Sequence, residues 1–332
     1  MSISHEPVRW GVLSTAKIND KFLAGARAAA GAQILAVASR DGERARAYAQ
    51  ERGIPRGYGS YDELLADADV QALYIPLPNA LHVPWTLRAL EAGKHVLCEK
   101  PISRRRADAQ RVVELASERD LRVSEAFMYR HNPQIRRLSA LVQEGAIGEL
   151  RAVRAHFSFN LTDAGNVRLF AELEGGALMD IGCYCLNATR LLAGEPELVT
   201  AVAVMGGEGV DMRFAASLRM PGGVLAHFDC GFDFAFRHEL EAVGAQGTAS
   251  LRDPWHGSAP GIELRTDAGK EHIEIEFVDP YRLEVENFSA AVTGGEPLLI
   301  GPEEIVAQAS AIEALYAAAD SGRAVAPSGE ER

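Results

Sequence analysis

From Val8 to about Phe127 short apolar runs alternate with longer segments of helical period, and this alternation narrows the possible folds more than any other feature of the chain. The runs are VRWGVL (8–13), AQILAVAS (32–39), ALYIPL (72–77), HVLCEK (95–100) and LRVSEAF (121–127). Helix candidates lie between them at Lys17–Ala30, Asp41–Arg52, Tyr61–Ala66 with Asp62 as cap, Leu81–Ala92 stopped by Gly93, and Arg105–Arg119. Such a pattern is that of βαβ units in a parallel sheet. Strands this apolar need cover on both faces, so the helices are expected on both sides of a doubly wound, Rossmann-type sheet.

Beyond about residue 150 strand material dominates: 150–161, 198–206, 211–221, 223–236, 238–251 and 270–277. Turns at Pro221-Gly222-Gly223 and Asp267-Ala268-Gly269 join several of these segments, which reads as an antiparallel meander. One helix is expected over Gly176–Leu192, stopped by Gly194, and a last one from about Glu303 to Asp320, which should pack back on the first domain. The fold class expected is therefore α/β plus α+β. A Rossmann domain spans 1–127, and a domain with a large, open, mainly antiparallel sheet spans 128–332.

The balance of 34 Lys+Arg against 46 Asp+Glu, a net charge of −12, argues against nucleic acid as a partner, since it would repel a phosphate backbone. Four cysteines, Cys98, Cys183, Cys185 and Cys230, form no CxxC pair and no Cys/His spacing, so neither a disulfide scaffold nor a metal site is expected. No apolar stretch reaches the length of a membrane span, and the first residues lack a signal-peptide core. A cytoplasmic protein without membrane contact is expected.

After the first strand, where a Rossmann fold cradles a pyrophosphate, the turn reads Ser14-Thr15-Ala16-Lys17-Ile18-Asn19 in place of intact G-x-G-x-x-G. Small side chains at Ser14, Thr15 and Ala16 still let backbone approach a phosphate, and the two hydroxyls add donors. A plain strand-to-helix turn capped by Ser14 or Thr15 is the alternative. The second strand ends in Ser39-Arg40-Asp41, with Arg44 one turn on, where NAD-binding folds place an acid for the ribose 2′-OH. Arginine there suits a 2′-phosphate, so NADP is favoured over NAD. Solvated charges paired with Asp41 or Glu43 are the plainer reading.

The segments YIPLPNALH (74–82), AGKHVLCEKP (92–101), EAFMYRHNP (125–133) and GGALMDIGCYCLNATRLLAG (175–194) carry a further signal. Taken together they resemble the glucose-fructose oxidoreductase/inositol dehydrogenase (Gfo/Idh/MocA) family. Within it they are most similar to the subgroup of dimeric dihydrodiol dehydrogenase, glucose-fructose oxidoreductase and aldose 1-dehydrogenases. Many members of the family carry His where this chain has Tyr184.

The chemistry accounts for the residue types. Hydride transfer at an alcohol needs a group that takes the hydroxyl proton, and the reverse reaction needs it returned. A free tyrosine, pKa near ~10, is a poor base until an adjacent ammonium favours its phenolate. Lys100 can supply that charge to Tyr184. Asp180, four residues before Tyr184, shares its face on a helix and can orient Lys100 or a sugar hydroxyl. Each residue also has a structural reading: an exposed lysine, a helix cap, a buried aromatic. The resemblance adds Pro76, Asn79, His82 and Glu99 on the cofactor side and Arg130 near substrate and cofactor. Ile18 belongs to the phosphate turn, and Asn166 and Arg168 reach toward the substrate. For Arg104-Arg105-Arg106 the sequence offers only a solvated first helical turn, although cations there oppose the helix dipole.

The expected activity is NADP-dependent hydride transfer at a hydroxyl or carbonyl of a sugar or cyclic diol, with the site where the two domains meet. Alternatives are a ketoreductase on nucleotide-activated or anhydro sugars, and a catalytically silent NADPH-binding regulatory protein. The strand 224–234 carries more apolar positions than one covered face needs, so a homodimer or tetramer through the second sheet is expected.

Overall fold

The computed structural model describes residues 6–327. In chain order the elements begin β1 (Val8–Leu13), α1 (Asn19–Ala28), β2 (Ala32–Ala38), α2 (Gly42–Glu51), β3 (Arg56–Tyr58), α3 (Tyr61–Ala66), β4 (Ala72–Ile75), α4 (His82–Glu91), β5 (His95–Cys98), α5 (Arg106–Glu118) and β6 (Val123–Glu125). There follow α6 (Pro133–Gln143), β7 (Leu150–Asn160), α7 (Cys183–Ala193), β8 (Leu198–Met205), β9 (Asp211–Arg219), β10 (Leu225–Gly231) and β11 (Asp233–Gly244). The chain closes with β12 (Gly247–Leu251), β13 (Gly261–Thr266), β14 (Gly269–Glu274), α8 (Pro280–Val292) and α9 (Pro302–Ser321). Among the described residues no helix is long and apolar enough to cross a membrane.

Two compact units are present. The first comprises residues up to Ser103, Ala107–His131 and Asp279–Val306. The second comprises Arg104–Arg106, Asn132–Val278 and the residues from Ala307 on.

The first unit is built on a parallel sheet of order β3-β2-β1-β4-β5-β6. Strand order reverses between β1 and β4, the place where open α/β sheets take a ligand at the carboxyl ends of their strands. The expected doubly wound fold is present, with one strand more than the apolar runs indicate. β3 is three half-buried residues, Arg56-Gly57-Tyr58, and has no apolar pattern to betray it. Helix α3 is capped by Ser60, which accepts from Glu63 N, and not by Asp62. Helix α8, far along the chain, supplies Val285 and Phe288 to the core around Trp10, Phe22 and Tyr74, and Trp10 Nε1 donates to Ser289 Oγ at 3.2 Å. A boundary at residue 127 therefore leaves out a helix on which this core depends.

The second unit holds an eight-stranded sheet of order β14-β13-β12-β11-β7-β10-β9-β8. It is not the simple meander that the turns suggest. β7, first of these strands in the sequence, lies between the β8–β10 and β11–β14 meanders, pairing parallel with β10 and antiparallel with β11. Its register aligns Val153 with Ala226 and Ala242, Ala155 with Phe228 and Leu240, and Phe157 with Cys230 and His238. Side chains alternate across a pleat, so these triplets form rows on one face. That face is buried and packs on α7. The segment 223–236 divides into β10 and β11 at Phe232, and the outward side chains of β10 are Leu225, His227 and Asp229, so that face is mixed and not apolar throughout. Exposed apolar side chains concentrate instead on β8, at Val202, Val204 and Met205.

In the middle of α1 sits Gly25, where a Cβ would lie 2.6 Å from Tyr281 Cβ and 2.7 Å from Arg282 N of α8. Alanine in an exposed helix interior gains about 1 kcal/mol over glycine. At this crossing the crowding, on the order of 1–3 kcal/mol, outweighs that gain. Gly25→Ala is expected to lower the thermal midpoint; a raised midpoint in a melting curve would show that the two helices can separate without cost.

Candidate active site

In the first unit the candidate residues gather at the carboxyl ends of β1, β2, β4 and β5. Ser14 takes the position of the first glycine and adopts its backbone conformation, φ +95°. Its hydroxyl donates to Pro76 O (3.3 Å) and accepts from Ala16 N (3.2 Å), while Asn19 Nδ2 donates to Ser14 O at 2.8 Å. Ser14 thus clasps the turn after β1 to the one after β4. No side chain caps α1: the cap position is Ile18, so neither Ser14 nor Thr15 fills that role. A helix N-terminus left without a side-chain acceptor, preceded by the partly exposed Thr15 and Ala16, suits an anionic group.

At the end of β2, Asp41 caps α2 by accepting from Glu43 N (2.9 Å) and Arg44 N (3.1 Å), and Ser39 Oγ accepts from Asp41 N. Asp41, the acid that follows Arg40 at the end of this strand, is committed to that cap. Arg40 and Arg44 are exposed and form no ion pair among the described residues. Both act on Tyr61, whose hydroxyl is raised by burial and pulled down by their charge. Two guanidiniums without an ion pair among the described residues, beside the buried Tyr61 ring, fit a 2′-phosphate and not a bare hydroxyl.

The loop after β4 opens with Pro76 and a 3-10 turn, Asn79–Leu81. His82 follows, 1% exposed, with its ring nitrogens 2.7 Å from Leu77 O and 2.8 Å from Pro101 O. Burial, and secondarily the Lys100 charge, push its pKa down to about 4, while the two carbonyls oppose that shift by favouring the doubly protonated ring. Its part is to tie the β4 loop to the Lys100-Pro101 turn, whose peptide bond is cis; it presents no free nitrogen to a ligand. Glu99 accepts from Tyr74 Oη at 2.5 Å and from Lys100 N at 3.4 Å. Tyr74 was not among the expected residues. Its hydroxyl, held protonated by burial and by the Glu99 charge, fixes the carboxylate next to Lys100. Arg130 is buried and lies 3.6 Å from Glu304, a pairing within this unit.

In the second unit Asp180, Arg168 and Asn166 come together. Arg168 Nε donates to Asp180 Oδ2 at 2.6 Å and its Nη1 to Asn166 Oδ1 at 3.3 Å, while Asn166 Oδ1 also accepts from Arg168 N. Asp180 lies in a π-helical turn, Leu178–Gly182, that runs into α7, so the regular α-helix expected over 176–192 begins with a widened turn. Such turns recur at functional sites because they re-aim side chains. Tyr184, half-buried, packs edge-on against Phe157 at 5.8 Å between ring centroids, and at the same distance against Trp255.

The start of this helix depends on Asp211, which the sequence did not single out. Its carboxylate accepts from Leu178 N (2.6 Å) and Tyr316 Oη (2.9 Å). Gly176, φ +117°, admits it, since a Cβ there would overlap the Asp211 carboxylate. The arginine triplet is explained here too: Arg104 stacks on the Tyr316 ring at 4.2 Å, Arg105 pairs with Glu174 at 3.2 Å, and Arg106 N donates to Glu313 at 3.0 Å. All four cysteines are buried and unbridged.

A parallel dinucleotide-type sheet joined to a mixed eight-stranded sheet, with charged and aromatic side chains at the strand ends, defines a nicotinamide-dependent oxidoreductase. The chain belongs to the Gfo/Idh/MocA family. The model for an oxidoreductase family with NAD-binding Rossmann fold matches residues 8–127, and that for the GFO/IDH/MocA C-terminal domain matches 135–250. The D-xylose 1-dehydrogenase (NADP(+)) 2 of Haloferax volcanii is 37% identical over 321 residues, 95% of this chain and 98% of that one. The trans-1,2-dihydrobenzene-1,2-diol dehydrogenase of Bos taurus is 37% identical over 251 residues, 74% and 75% of the two chains. The crystal structure of a 3-ketoreductase from Actinomadura kijaniata, in complex with NADP and TDP-benzene, aligns with TM-score 0.89 at 33% identity, covering 94% of this chain and 98% of that one.

Burial pushes the Asp211 carboxyl up to about 6, above the value near 3.9 of free aspartate. Between those two values the folded chain holds a proton that the unfolded chain has released, so stability from this group falls as pH rises from about 4 to 6. The thermal midpoint of the wild-type chain relative to Asp211→Asn should therefore rise on acidification through that window. Parallel pH curves for the two proteins would contradict a buried, titrating carboxylate.

Proposed function

We propose that this protein is a cytoplasmic NADP-dependent oxidoreductase that moves a hydride between the nicotinamide and a hydroxyl or carbonyl of a sugar or cyclic diol. The observation that carries this reading is the pair Lys100 and Tyr184. Solved structures of the 3-ketoreductase relative include variants with a lysine or a tyrosine replaced, and those two positions stand the same distance apart in that chain as Lys100 and Tyr184 do here. Arg40 and Arg44 support NADP over NAD, as does the xylose dehydrogenase relative named for NADP(+). The buried, unbridged cysteines support a reducing compartment.

When bound, the cofactor supplies or accepts the hydride. Tyr184 Oη gives a proton to the developing alkoxide in reduction and takes it back in oxidation, with the Lys100 ammonium favouring the phenolate. Asp180, fixed by Arg168, accepts a hydrogen bond from a neighbouring hydroxyl and sets the substrate's orientation. Thr15, Ala16 and the start of α1 bind the pyrophosphate, Ser39, Arg40 and Arg44 the 2′-phosphate, and Glu99 the nicotinamide ribose. Phe157 and Trp255, both buried, pack behind the Tyr184 ring and fix its direction. Reduction of a ketone on a nucleotide-activated sugar is a second reading, favoured by the relative bound to TDP-benzene. A homodimer through the second sheet is also proposed, supported by the exposed Val202, Val204 and Leu225.

A panel of aldoses, cyclic diols and keto nucleotide sugars, followed by NADPH absorbance, separates the two readings. Tyr184→Phe is expected to lower kcat by roughly 100-fold or more with NADPH binding nearly intact; an unchanged kcat removes Tyr184 from the chemistry. Arg40→Asp should turn the kcat/KM preference toward NAD, and a wild-type enzyme that already prefers NAD would refute the phosphate cradle.

A further inference from the structure

The inner face of the β7, β10 and β11 rows is apolar except at one place: beside Phe157 and Cys230 stands His238. Its side chain meets Asp253 and His256 of the β12–β13 loop, and one donor atom from each of the three lies within 4.8 Å of the other two. His238 Nδ1 is 3.3 Å from Asp253 Oδ1, and His256 Nδ1 is 3.8 Å from the same oxygen. We propose that these three side chains form a binding site for a divalent transition metal of the zinc class.

Two features distinguish the cluster from an ordinary histidine–aspartate contact. His238 Nδ1 is buried and makes no hydrogen bond although Asp253 lies within reach, so it does not aim at that carboxylate as a donor would. The loop is also wound to present the carboxylate: Asp253, 7% exposed, accepts from His256 N (3.1 Å) and Ser258 N (2.7 Å), and Gly257 N donates to its carbonyl at 3.2 Å. Gln134 Nε2 donates to the same carbonyl at 2.7 Å. Each carboxylate oxygen has two lone-pair sites, so these backbone bonds leave Asp253 able to coordinate.

The spacing and the donor set agree with the metal class. Ligand atoms about 2.0–2.2 Å from a tetrahedral zinc stand roughly 3.4 Å from one another, close to the two histidine–aspartate separations of 3.3 and 3.8 Å. Two imidazoles and a carboxylate suit borderline ions such as Zn2+ and Co2+ better than Mg2+ or Ca2+, which prefer oxygen ligands. Three protein ligands leave a fourth position for water or another ligand. Asp253 and His256 are three residues apart, His238 precedes them by one strand, and the set includes no cysteine, so cysteine spacing could not have revealed it. An ion here would pin the loop that carries Trp255, 1% exposed, whose ring packs against Phe157 and Tyr184.

The test is titration of the tag-free full chain, freed of metal by chelation, with Zn2+ by calorimetry and with Co2+ by visible absorption. The expected result is one ion per chain and a ligand-field band of nitrogen–oxygen coordination. Losing a partner that merely supports a metal ligand costs about 10–100-fold in affinity, so His238→Gln and His256→Gln should each weaken binding by at least about tenfold. Circular dichroism of the two variants checks that they fold. Affinity unchanged in either folded variant overturns the site. So does the absence of stoichiometric binding and of the cobalt band in the wild-type chain, a reading that needs no variant; the cluster is then a plain histidine–aspartate contact.

Discussion

The hydrogen bond from Leu178 N to the Asp211 carboxylate holds the start of the helical segment that carries Asp180 and Tyr184. A buried carboxylate without partners would cost several kcal/mol, and here the leading N–H of the π turn and the Tyr316 hydroxyl satisfy it. Around this bond the neighbouring residues are constrained one after another. Gly176 must lack a side chain to admit the carboxylate, and Gly182 must lack one because Cys230 Sγ lies 2.7 Å from where a Cβ would stand. Arg104 covers the ring of Tyr316. Packing that permits so little variation fixes the direction of Asp180 and, two residues past Gly182, of Tyr184.

Electrostatics in the first unit follow a different plan. The chain carries a net charge of −12, yet Arg40 and Arg44 form no ion pair among the described residues, and the carboxylate of Asp41 between them accepts from the N-terminus of α2. One carboxylate thereby does two things: it caps a helix, worth about 1 kcal/mol, and it leaves positive charge beside it available to a ligand. Ser14 similarly replaces a glycine without losing the turn, because its hydroxyl bonds across to Pro76 O. The turn therefore keeps its form without the glycines of the fingerprint.

The first sheet was legible because each buried strand announces itself as an apolar run and each helix as a period, whereas β3, with three half-buried residues, carries neither signal. Helices α6 and α8 did leave signals. Asn132-Pro133 and Asp279-Pro280 each place a capping side chain before a proline at the first helical position, and both caps form. Asp180 and Arg168, chosen from separate segments, form an ion pair with each other. Asp211, Tyr74, Phe157 and Trp255 were out of reach: each acts across strands or loops distant in the chain, and no local spacing encodes such a meeting. His82 shows the converse, a residue expected on the cofactor side whose ring nitrogens are both taken up by carbonyls of the protein.

The position of β7 has a consequence for how the second sheet comes into being. It is the first strand of that sheet to be synthesised and among the most central when it is finished, with one meander on either side. Neither meander can complete its hydrogen bonding until β7 is seated between them, and its parallel partner β10 follows only after a helix and two further strands. Assembly of this half is thus governed by contacts between residues remote in sequence, which slows folding and prolongs the exposure of unpaired strand edges. A chain interrupted before β10 would emerge with its central strand already made and neither of that strand's two partners, β10 and β11, yet present.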